Sequence, residues 1–307
     1  MSNVSDVHTS RLRVFLAVVD RGGFTAAAEH LHLTQQAVSA AVAKLEEELH
    51  VRLMERTTRS YGPTAVGAAF AEQARAIVAA WDSAVAAAHR RERLDRSVLR
   101  VGAMAGAALE LTEPILAAFA ALEPDASVEL EPHLYDDPSA GLRSGSTDVA
   151  FLRPPLQDED LVLTPLLVEP RVVIVGAGHP LAERGEVAMA DLAAHTAARP
   201  AGPDETWNDF WSAGADPVRS IPVTTLESAF ELVAAGRAFA LAPVGWTRFY
   251  QRLGLQAVVS PDLPPSPLAI ARRARERSPL VHRFVEAAVA VAGEQLALVP
   301  AAAPPAG

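Results

Sequence analysis

The sequence contains no cysteine, which excludes disulfide bonds, thiolate metal sites and a cysteine nucleophile. It has no run of about twenty apolar residues free of charges, so a transmembrane helix is not expected. The N-terminus lacks a basic start followed by an apolar segment, and a secretory signal is therefore not predicted. The Gly-x-Ser-x-Gly, His-Glu-x-x-His and Walker motifs of common enzymes are missing as well. These absences predict a soluble cytoplasmic protein that is not an enzyme and needs no cofactor.

The chain of 307 residues is long enough for two or three domains with sizeable cores. Its net charge of −10 is unevenly distributed, because residues 1–92 contain ten basic and ten acidic side chains. The acidity therefore belongs to the remainder of the chain. A neutral N-terminal part can still bind a phosphate backbone if its positive groups lie on one face.

The segment Phe24–Arg59 predicts two short helices that meet at a tight corner, followed by a small β-wing. The helices are expected near residues 25–31 and 35–49, with the corner at His32 and Leu33. In the second helix the apolar residues recur at helical spacing and should face a core. They are Ala37, Val38, Ala41, Val42 and Leu45. The residues left facing outward are Gln35, Gln36, Ser39, Ala40 and Lys44. Short polar side chains at the exposed start of such a helix are typical of a helix-turn-helix that reads the major groove.

A long alanine-rich helix is predicted at about residues 65–91, with Thr64 as its N-cap. Its larger apolar positions alternate spacings of four and three residues, which indicates a coiled-coil seam and hence a dimer. The seam consists of Phe70, Ala74, Ile77, Trp81, Ala84 and Ala88. The alternative is that this helix packs against its own domain.

From residue 98 to about residue 292, strands and helices alternate, which predicts an α/β domain with a mainly parallel sheet. About 200 residues exceed what one sheet usually carries, so two lobes are expected. Lobe I should comprise about residues 97–165 and 267–292, and lobe II about residues 166–266. Residues 293–307 are expected to form a flexible tail.

The N-terminal motif resembles that of LysR-type transcriptional regulators over about a dozen positions in register. The matching positions are Leu12-x-x-Phe15-x-x-Val18, Gly23-Phe24-Thr25-x-Ala27-Ala28-x-x-Leu31-x-Leu33-Thr34-Gln35, Val38-Ser39, Leu45-Glu46-x-x-Leu49, Leu53-x-x-Arg56 and Thr64-x-x-Gly67. The order of the later elements is similar as well, so the resemblance covers about residues 9–292.

The resemblance implies an α-helical winged helix-turn-helix head at residues 1–63 and a linker and dimerisation helix at residues 64–92. An α/β two-lobed effector-binding domain, resembling type 2 periplasmic binding proteins, should follow at residues 97–292. The implied partners are double-stranded promoter DNA, a small-molecule effector, further copies of the chain as a homodimer or a dimer of dimers, and RNA polymerase. The positions implied to contact DNA are Thr25, Thr34, Gln35, Gln36, Ser39, Lys44, Arg56, Thr57 and Arg59.

Two positions of the second helix depart from the family pattern. Proline is common in the family at the position of Gln36, where it costs the helix no hydrogen bond. Gln36 restores a donor and a long acceptor, so it can read a base directly. Arginine is common at the position of Ala40, which cannot make that contact. We therefore expect an unusual DNA site and a weaker phosphate contact from this helix.

The effector is expected between the two lobes, near the ends of strands. The candidate contacts are Ala105, Gly106, Ala107, Arg153, Arg199, Thr225 and Pro243. Because Arg153 and Arg199 stand in an otherwise acidic pair of lobes, we expect an organic anion with an apolar or aromatic body. The alternative is that Arg153 pairs with Asp148 or Glu159.

Two other classes of protein remain open from the sequence. The first is a two-lobed solute-binding protein whose head no longer reads DNA. The presence of Ala40 where arginine is common is compatible with this alternative. The second is a regulator that binds no ligand and acts through partner contacts.

Overall fold

The computed structural model describes residues 9–56, 61–104, 106 and 108–305, without the side chains of Arg56 and Tyr61. The predicted site residues Thr57, Arg59, Ala105 and Ala107 lie outside the described residues. The chain forms two compact units, Met1–Ala88 and His89–Gly307. The division falls inside the long helix that the sequence predicts as a linker.

The first unit is a helical head with a two-stranded wing, as the sequence predicts. Its elements are α1 (Thr9–Asp20), α2 (Phe24–Leu31), α3 (Gln35–Leu49), β1 (Met54–Arg56), β2 (Tyr61–Pro63) and the first part of α4 (Ala65–Asp95). The corner after α2 forms at His32, whose backbone is left-handed with φ 54°. Thr34 then caps α3 by accepting a hydrogen bond from the Ala37 amide at 3.2 Å.

The inner face of α3 agrees with the predicted stripe except at one residue. Val38, Val42 and Leu45 are buried against α1 and α2, whereas Ala37 is exposed. Ala37 lies in the first turn, where the helix projects beyond the small core of the head. The exposed surface at the start of α3 is therefore one residue wider than the sequence suggests.

The chain entering the wing contacts α3 through a glutamate side chain and contacts α4 through a close approach to a glycine. One oxygen of Glu46 accepts hydrogen bonds from the amides of Leu53 at 2.7 Å and Met54 at 3.0 Å. Thr64 caps α4 by accepting from the Gly67 amide at 2.8 Å, which confirms the predicted cap. A Cβ atom at Gly67 would lie 1.9 Å from the carbonyl oxygen of Leu53. Glycine is therefore the residue that lets α4 approach the chain entering the wing.

The predicted seam on α4 divides into two parts. Ala74 is buried and Phe70 packs against Phe15 with ring centroids 5.7 Å apart, so both belong to the core of the head. For these two positions the alternative, packing on their own domain, is correct. Ile77 and Trp81 are 51% and 53% exposed, and Ala84 is exposed as well. In the described parts of the chain no helix, α4 included, is both long and apolar enough to cross a membrane.

The second unit is the expected α/β domain. In chain order it contains β3 (Val98–Ala103), α5 (Thr112–Leu122), β4 (Ser127–Pro132), β5 (Val149–Leu152), β6 (Leu161–Glu169), β7 (Arg171–Gly176), α6 (Met189–Leu192), β8 (Ala198–Pro200), α7 (Glu205–Trp211), β9 (Ile221–Val223), α8 (Leu226–Ala234), β10 (Ala240–Pro243), α9 (Trp246–Phe249), β11 (Leu255–Val259), β12 (Ser266–Arg273) and α10 (Pro279–Gln295). Short 3₁₀ turns cover Leu109–Leu111, Pro217–Arg219 and Leu296–Leu298.

Lobe I is a five-stranded sheet in the order β4-β3-β5-β12-β6. The pairs β3–β4 and β3–β5 are parallel, but β12 is antiparallel to both β5 and β6. The prediction of a mainly parallel sheet is wrong here. The chain passes into lobe II after β6 and comes back to lobe I as β12, which runs in the direction opposite to its neighbours β5 and β6. Helices α5 and α10 pack together over this sheet, with Phe119 and Phe284 5.1 Å apart between ring centroids.

Lobe II contains the antiparallel sheet β10-β7-β11 and the parallel pair β8–β9. The chain crosses between the lobes at Pro170, after β6, and again just before Ser266, where β12 begins. Lobe I therefore extends four residues beyond the predicted boundary at residue 165.

The C-terminal segment differs from the predicted flexible tail. Helix α10 continues to Gln295, and Val299 is buried in the core of the unit. Ala303 then pairs with Val168 of β6 through backbone hydrogen bonds of 2.9 Å and 2.8 Å. The alanine- and proline-rich composition suggested disorder, but the exposed edge of β6 offers this segment hydrogen-bond partners that composition does not reveal.

Candidate functional site

The exposed start of α3 carries the first candidate site. Gln35 and Gln36 are exposed in its first turn, directly after the Thr34 cap, and Ser39 is half-buried one turn later. The hydroxyl oxygen of Thr34 already accepts the Ala37 amide, so this side chain fixes the helix start and keeps its hydroxyl proton for a further partner. Thr25 is exposed at the start of α2. The structure thus brings the predicted polar residues of both helices to the surface of the head.

The acidic residues at the far end of α3 are occupied by partners within the head. Lys44 pairs with Glu47 at 3.0 Å, and this hydrogen bond lowers the pKa of Glu47. Glu48 pairs with Arg11 at 2.5 Å, and Glu46 accepts the Leu53 amide at the entry to the wing. Lys44, a predicted DNA contact, therefore already has an acidic neighbour. Arg52 is 79% exposed beside the wing, whereas the predicted phosphate contacts of Arg56 and Arg59 remain predictions.

A second candidate site is a narrow, partly enclosed cavity in the effector unit, which we call the tryptophan cavity. Its lining residues come from both lobes and are mostly apolar. They are Met104, Tyr135, Arg153, Ala198, Pro200, Trp207, Trp211, Val223, Leu226, Ala229, Ala240, Leu241 and Trp246. The free volume is about 20 Å³, roughly what one water molecule requires. The cavity is thus almost filled by its own side chains.

Three tryptophans form the aromatic wall of this cavity. The rings of Trp211 and Trp246 are parallel within 1° and their centroids lie 6.2 Å apart. Trp207 packs against Tyr135 at 5.4 Å and donates its indole N–H to the Arg153 carbonyl oxygen at 3.0 Å. In the part of the chain that the structure describes, the indole N–H groups of Trp211 and Trp246 are buried without an acceptor. The two parallel rings therefore carry donors that are not used.

Arg153, a predicted effector contact, lines the tryptophan cavity, and its charge is compensated. Its guanidinium donates to Glu169 at 2.7 Å and to Ser266 at 2.8 Å. The other oxygen of Glu169 accepts the Gly245 amide at 2.6 Å. Burial lowers the pKa of Arg153 and the Glu169 carboxylate opposes this shift. The alternative, an ion pair within the protein, is correct for Arg153, but the partner is Glu169 and not Asp148 or Glu159. Strands β5 and β6 bring Arg153 and Glu169 to the same edge of lobe I.

The other predicted effector contacts that the structure describes do not line this cavity. Arg199 is buried inside lobe II, where it pairs with Glu205 and hydrogen bonds Asp209 and Ser212, both at 2.8 Å. Thr225 caps α8 and exchanges hydrogen bonds with Ser228. These side chains were expected in the cleft because they stand near strand ends. Arg199 of β8 is instead paired with residues of α7 and its C-cap, and Thr225 caps α8. Pro243 ends β10 beside Arg171, and Gly106 borders a separate surface hollow.

Arg171 is a buried cation that sequence reasoning missed. Its Nε donates to the Pro264 carbonyl at 2.6 Å, and its guanidinium also contacts the Phe210 carbonyl and lies 3.7 Å from the Phe210 ring centroid. Burial lowers the pKa of Arg171 to about 10. Arg171 follows the first crossing between the lobes and Pro264 precedes the second, so this side chain ties the two crossings together.

Sequence reasoning also missed the role of the tryptophans, although a signal was present. Trp207, Trp211 and Trp246 occur within 40 residues of a chain that has only four tryptophans. The spacing of Trp207 and Trp211 indicates a helix core, and only the fold of lobe II brings Trp246 opposite Trp211.

Both parts of the chain match models of one protein family. Residues 9–68 match the bacterial regulatory helix-turn-helix protein of the lysR family, and residues 92–293 match the LysR substrate binding domain. The Hca operon transcriptional activator HcaR of Escherichia coli is 33% identical over 181 residues, which cover 59% of this chain and 61% of HcaR. That match spans less than two-thirds of HcaR. The regulator BenM of Acinetobacter baylyi is 29% identical over 286 residues, covering 90% of this chain and 93% of BenM.

Solved structures agree with this assignment. A full-length BenM variant superposes with a TM-score of 0.52 at 27% identity, covering 94% of this chain and 96% of that one. A full-length OxyR variant from Pseudomonas aeruginosa shares the fold, with a TM-score of 0.53 at 21% identity over 98% of this chain and 99% of that one. These comparisons do not favour the solute-binding alternative. The chain belongs to the LysR family of transcriptional regulators and combines its helix-turn-helix DNA-binding domain with its effector-binding substrate domain.

Proposed function

We propose that this regulator reads double-stranded promoter DNA with the start of α3 and that a small effector in the tryptophan cavity changes its affinity for that DNA. The observation that carries the proposal is the exposed pair Gln35 and Gln36 beside a capped helix start, on a domain matching the family's helix-turn-helix. A glutamine side chain can donate to and accept from one adenine edge. A promoter target implies a cytoplasmic location.

The test compares two DNA duplexes by fluorescence anisotropy, one from upstream of the protein's own gene and one of random sequence. Gln36→Ala should weaken binding to the upstream DNA by about tenfold, because a bidentate base contact contributes roughly 1–3 kcal/mol. Binding to the random duplex should not change, since phosphate contacts carry it. Gln73→Ala, the same change at an exposed position of α4, is the matched control.

Equal losses on both duplexes would contradict base reading by Gln36. Absence of salt-dependent binding to any duplex would favour the solute-binding alternative instead. Both affinities are expected to fall steeply as salt rises.

We also propose that copies of the chain pair through the exposed part of α4. Ile77, Trp81 and Val85 are 51%, 53% and 37% exposed, and large apolar side chains at helical spacing on one helix favour a partner surface. This seam starts at Ile77 because Phe70 and Ala74 are used in the head. Assembly into a dimer of dimers and contact with RNA polymerase rest on the family resemblance.

The size of the assembly tests this pairing. Trp81→Glu places a charge in the seam and should shift the molar mass in light scattering to that of one chain, whereas Ala79→Glu on another face of α4 should leave it unchanged. An unchanged mass for Trp81→Glu would exclude the seam.

A further inference from the structure

The tryptophan cavity has no spare positive charge for an anionic ligand. Among the described residues that line it, Arg153 is the only lysine or arginine, and Glu169 and Ser266 occupy its guanidinium at 2.7 Å and 2.8 Å. Glu169 is fully buried, and its carboxylate balances the Arg153 cation, so the pair carries no net charge. A carboxylate in the cavity would add a buried negative charge opposite a compensated cation, which is costly.

The cavity does have unused hydrogen-bond donors. Trp211 and Trp246 are 5% and 4% exposed, and neither indole N–H has an acceptor in the described chain. Trp207, on the same wall, is satisfied by the Arg153 carbonyl. Leaving a buried donor unpaired costs about 1–3 kcal/mol. A ligand that brings an uncharged acceptor to the Trp211 indole would recover part of this cost.

A ligand needs more room than the narrow cavity provides. The free volume is about 20 Å³, whereas a cavity that holds benzene measures roughly 150 Å³. Trp246 borders the cavity on one side and, on the other, an outer hollow of about 480 Å³ that Phe230 and Tyr250 also line. Trp246 is the first residue of the four-residue helix α9. The Gly245 amide just before it donates a hydrogen bond to Glu169, which fixes the start of this helix. Movement of this one ring into the outer hollow would open the space.

We propose that the tryptophan cavity takes an uncharged, planar aromatic ligand with a hydrogen-bond acceptor, such as an aromatic ketone, ester or amide, and that Trp246 moves outward to admit it. The inference rests on the proposed effector role of the cavity. Trp211 supplies flat apolar surface and an unused donor, its indole N–H group, and the movement of Trp246 supplies the space. Aromatic carboxylates, the class that the sequence suggested, are disfavoured by the compensated charge of Arg153.

Three probes of similar size separate the contributions: acetophenone has an acceptor, ethylbenzene has none, and benzoate is charged. Binding is measured by calorimetry on the full chain, with millimolar probe. Acetophenone should bind most tightly and benzoate most weakly. Trp211→Phe should weaken acetophenone by about five- to tenfold, the usual effect of one buried hydrogen bond. It should not alter ethylbenzene by more than about twofold.

Trp81→Phe is the matched control, since Trp81 lies on α4 and outside the cavity. In that background the emission of the remaining tryptophans should shift to longer wavelength with acetophenone, because Trp246 becomes exposed to water. The shift should vanish in Trp246→Phe. Benzoate binding as tightly as acetophenone, with a loss in Arg153→Met, would overturn the proposal. Failure of acetophenone to bind would overturn it as well.

The same probes distinguish the ligand class from the regulatory role. If acetophenone binds with the expected dependence on Trp211 but promoter affinity does not change, the cavity chemistry stands and its effector role fails. If promoter affinity responds only to an organic anion, the regulatory role stands and the uncharged class fails.

Discussion

Replacing Glu169 with glutamine tests whether the buried ion pair beside the tryptophan cavity stabilises the effector unit. Glu169 and Arg153 are 0% and 5% exposed at a distance of 2.7 Å, and Glu169 also accepts the Gly245 amide. Glutamine keeps the shape of the side chain but removes its charge. Because the Arg153 cation would then be buried without compensation, the free energy of unfolding should fall by about 3–5 kcal/mol. With a urea m-value of about 3 kcal/mol per M, the midpoint should fall by roughly 1 M or more.

The assay is urea unfolding followed by tryptophan emission in a Trp81→Phe background, where the remaining tryptophans all lie in the effector unit. Arg153→Met and the double variant with Glu169→Gln complete a cycle. The double variant should be more stable than the sum of the single losses by about 2 kcal/mol, since the buried charge is removed with its partner.

Glu159→Gln is the matched control, because Glu159 is an exposed glutamate close to Arg153 in sequence. It should change stability by less than about 0.5 kcal/mol. A loss below about 1 kcal/mol for Glu169→Gln, or additive losses in the cycle, would refute the conclusion that the Arg153–Glu169 ion pair stabilises the effector unit.

Two further predictions concern the head and lobe I. Gly67→Ala should destabilise the head by at least about 2 kcal/mol in thermal unfolding, because its Cβ atom would lie 1.9 Å from the Leu53 carbonyl oxygen. Gly62→Ala meets no atom within 4 Å and should be nearly neutral; similar losses for both would contradict the steric argument. Burial raises the pKa of Asp137, but hydrogen bonds from His133, Ser139 and Gly141 outweigh it and lower the pKa to about 2 from 3.8. Asp137 therefore stabilises the fold above pH 3.8 and loses this effect as pH falls toward 2. Asp137→Asn should cost up to about 2 kcal/mol at neutral pH, and the difference from wild type should shrink below about pH 4 in acid titrations of stability. A difference that does not depend on pH would contradict this.

Local features of the head were predictable because each depends on a short stretch of chain. The helix bounds follow from apolar spacing and from caps such as Thr34 and Thr64, whose partners lie three residues away. The two-lobed α/β class follows from the alternation of strands and helices along the second unit. The family motif is likewise a local pattern, since its residues occur in register over the first 67 positions.

The tertiary structure decided which charges are free and which apolar residues meet. Arg153 and Arg199 looked like ligand contacts in the sequence, but partners from other elements neutralise both. Phe70 looked like part of a dimer seam, yet the position of α1 brings Phe15 against it. Trp246 and Trp211 are 35 positions apart and face each other only because α7 and α9 meet within lobe II. Such pairings depend on contacts between distant elements, and spacing along the chain carries no information about them.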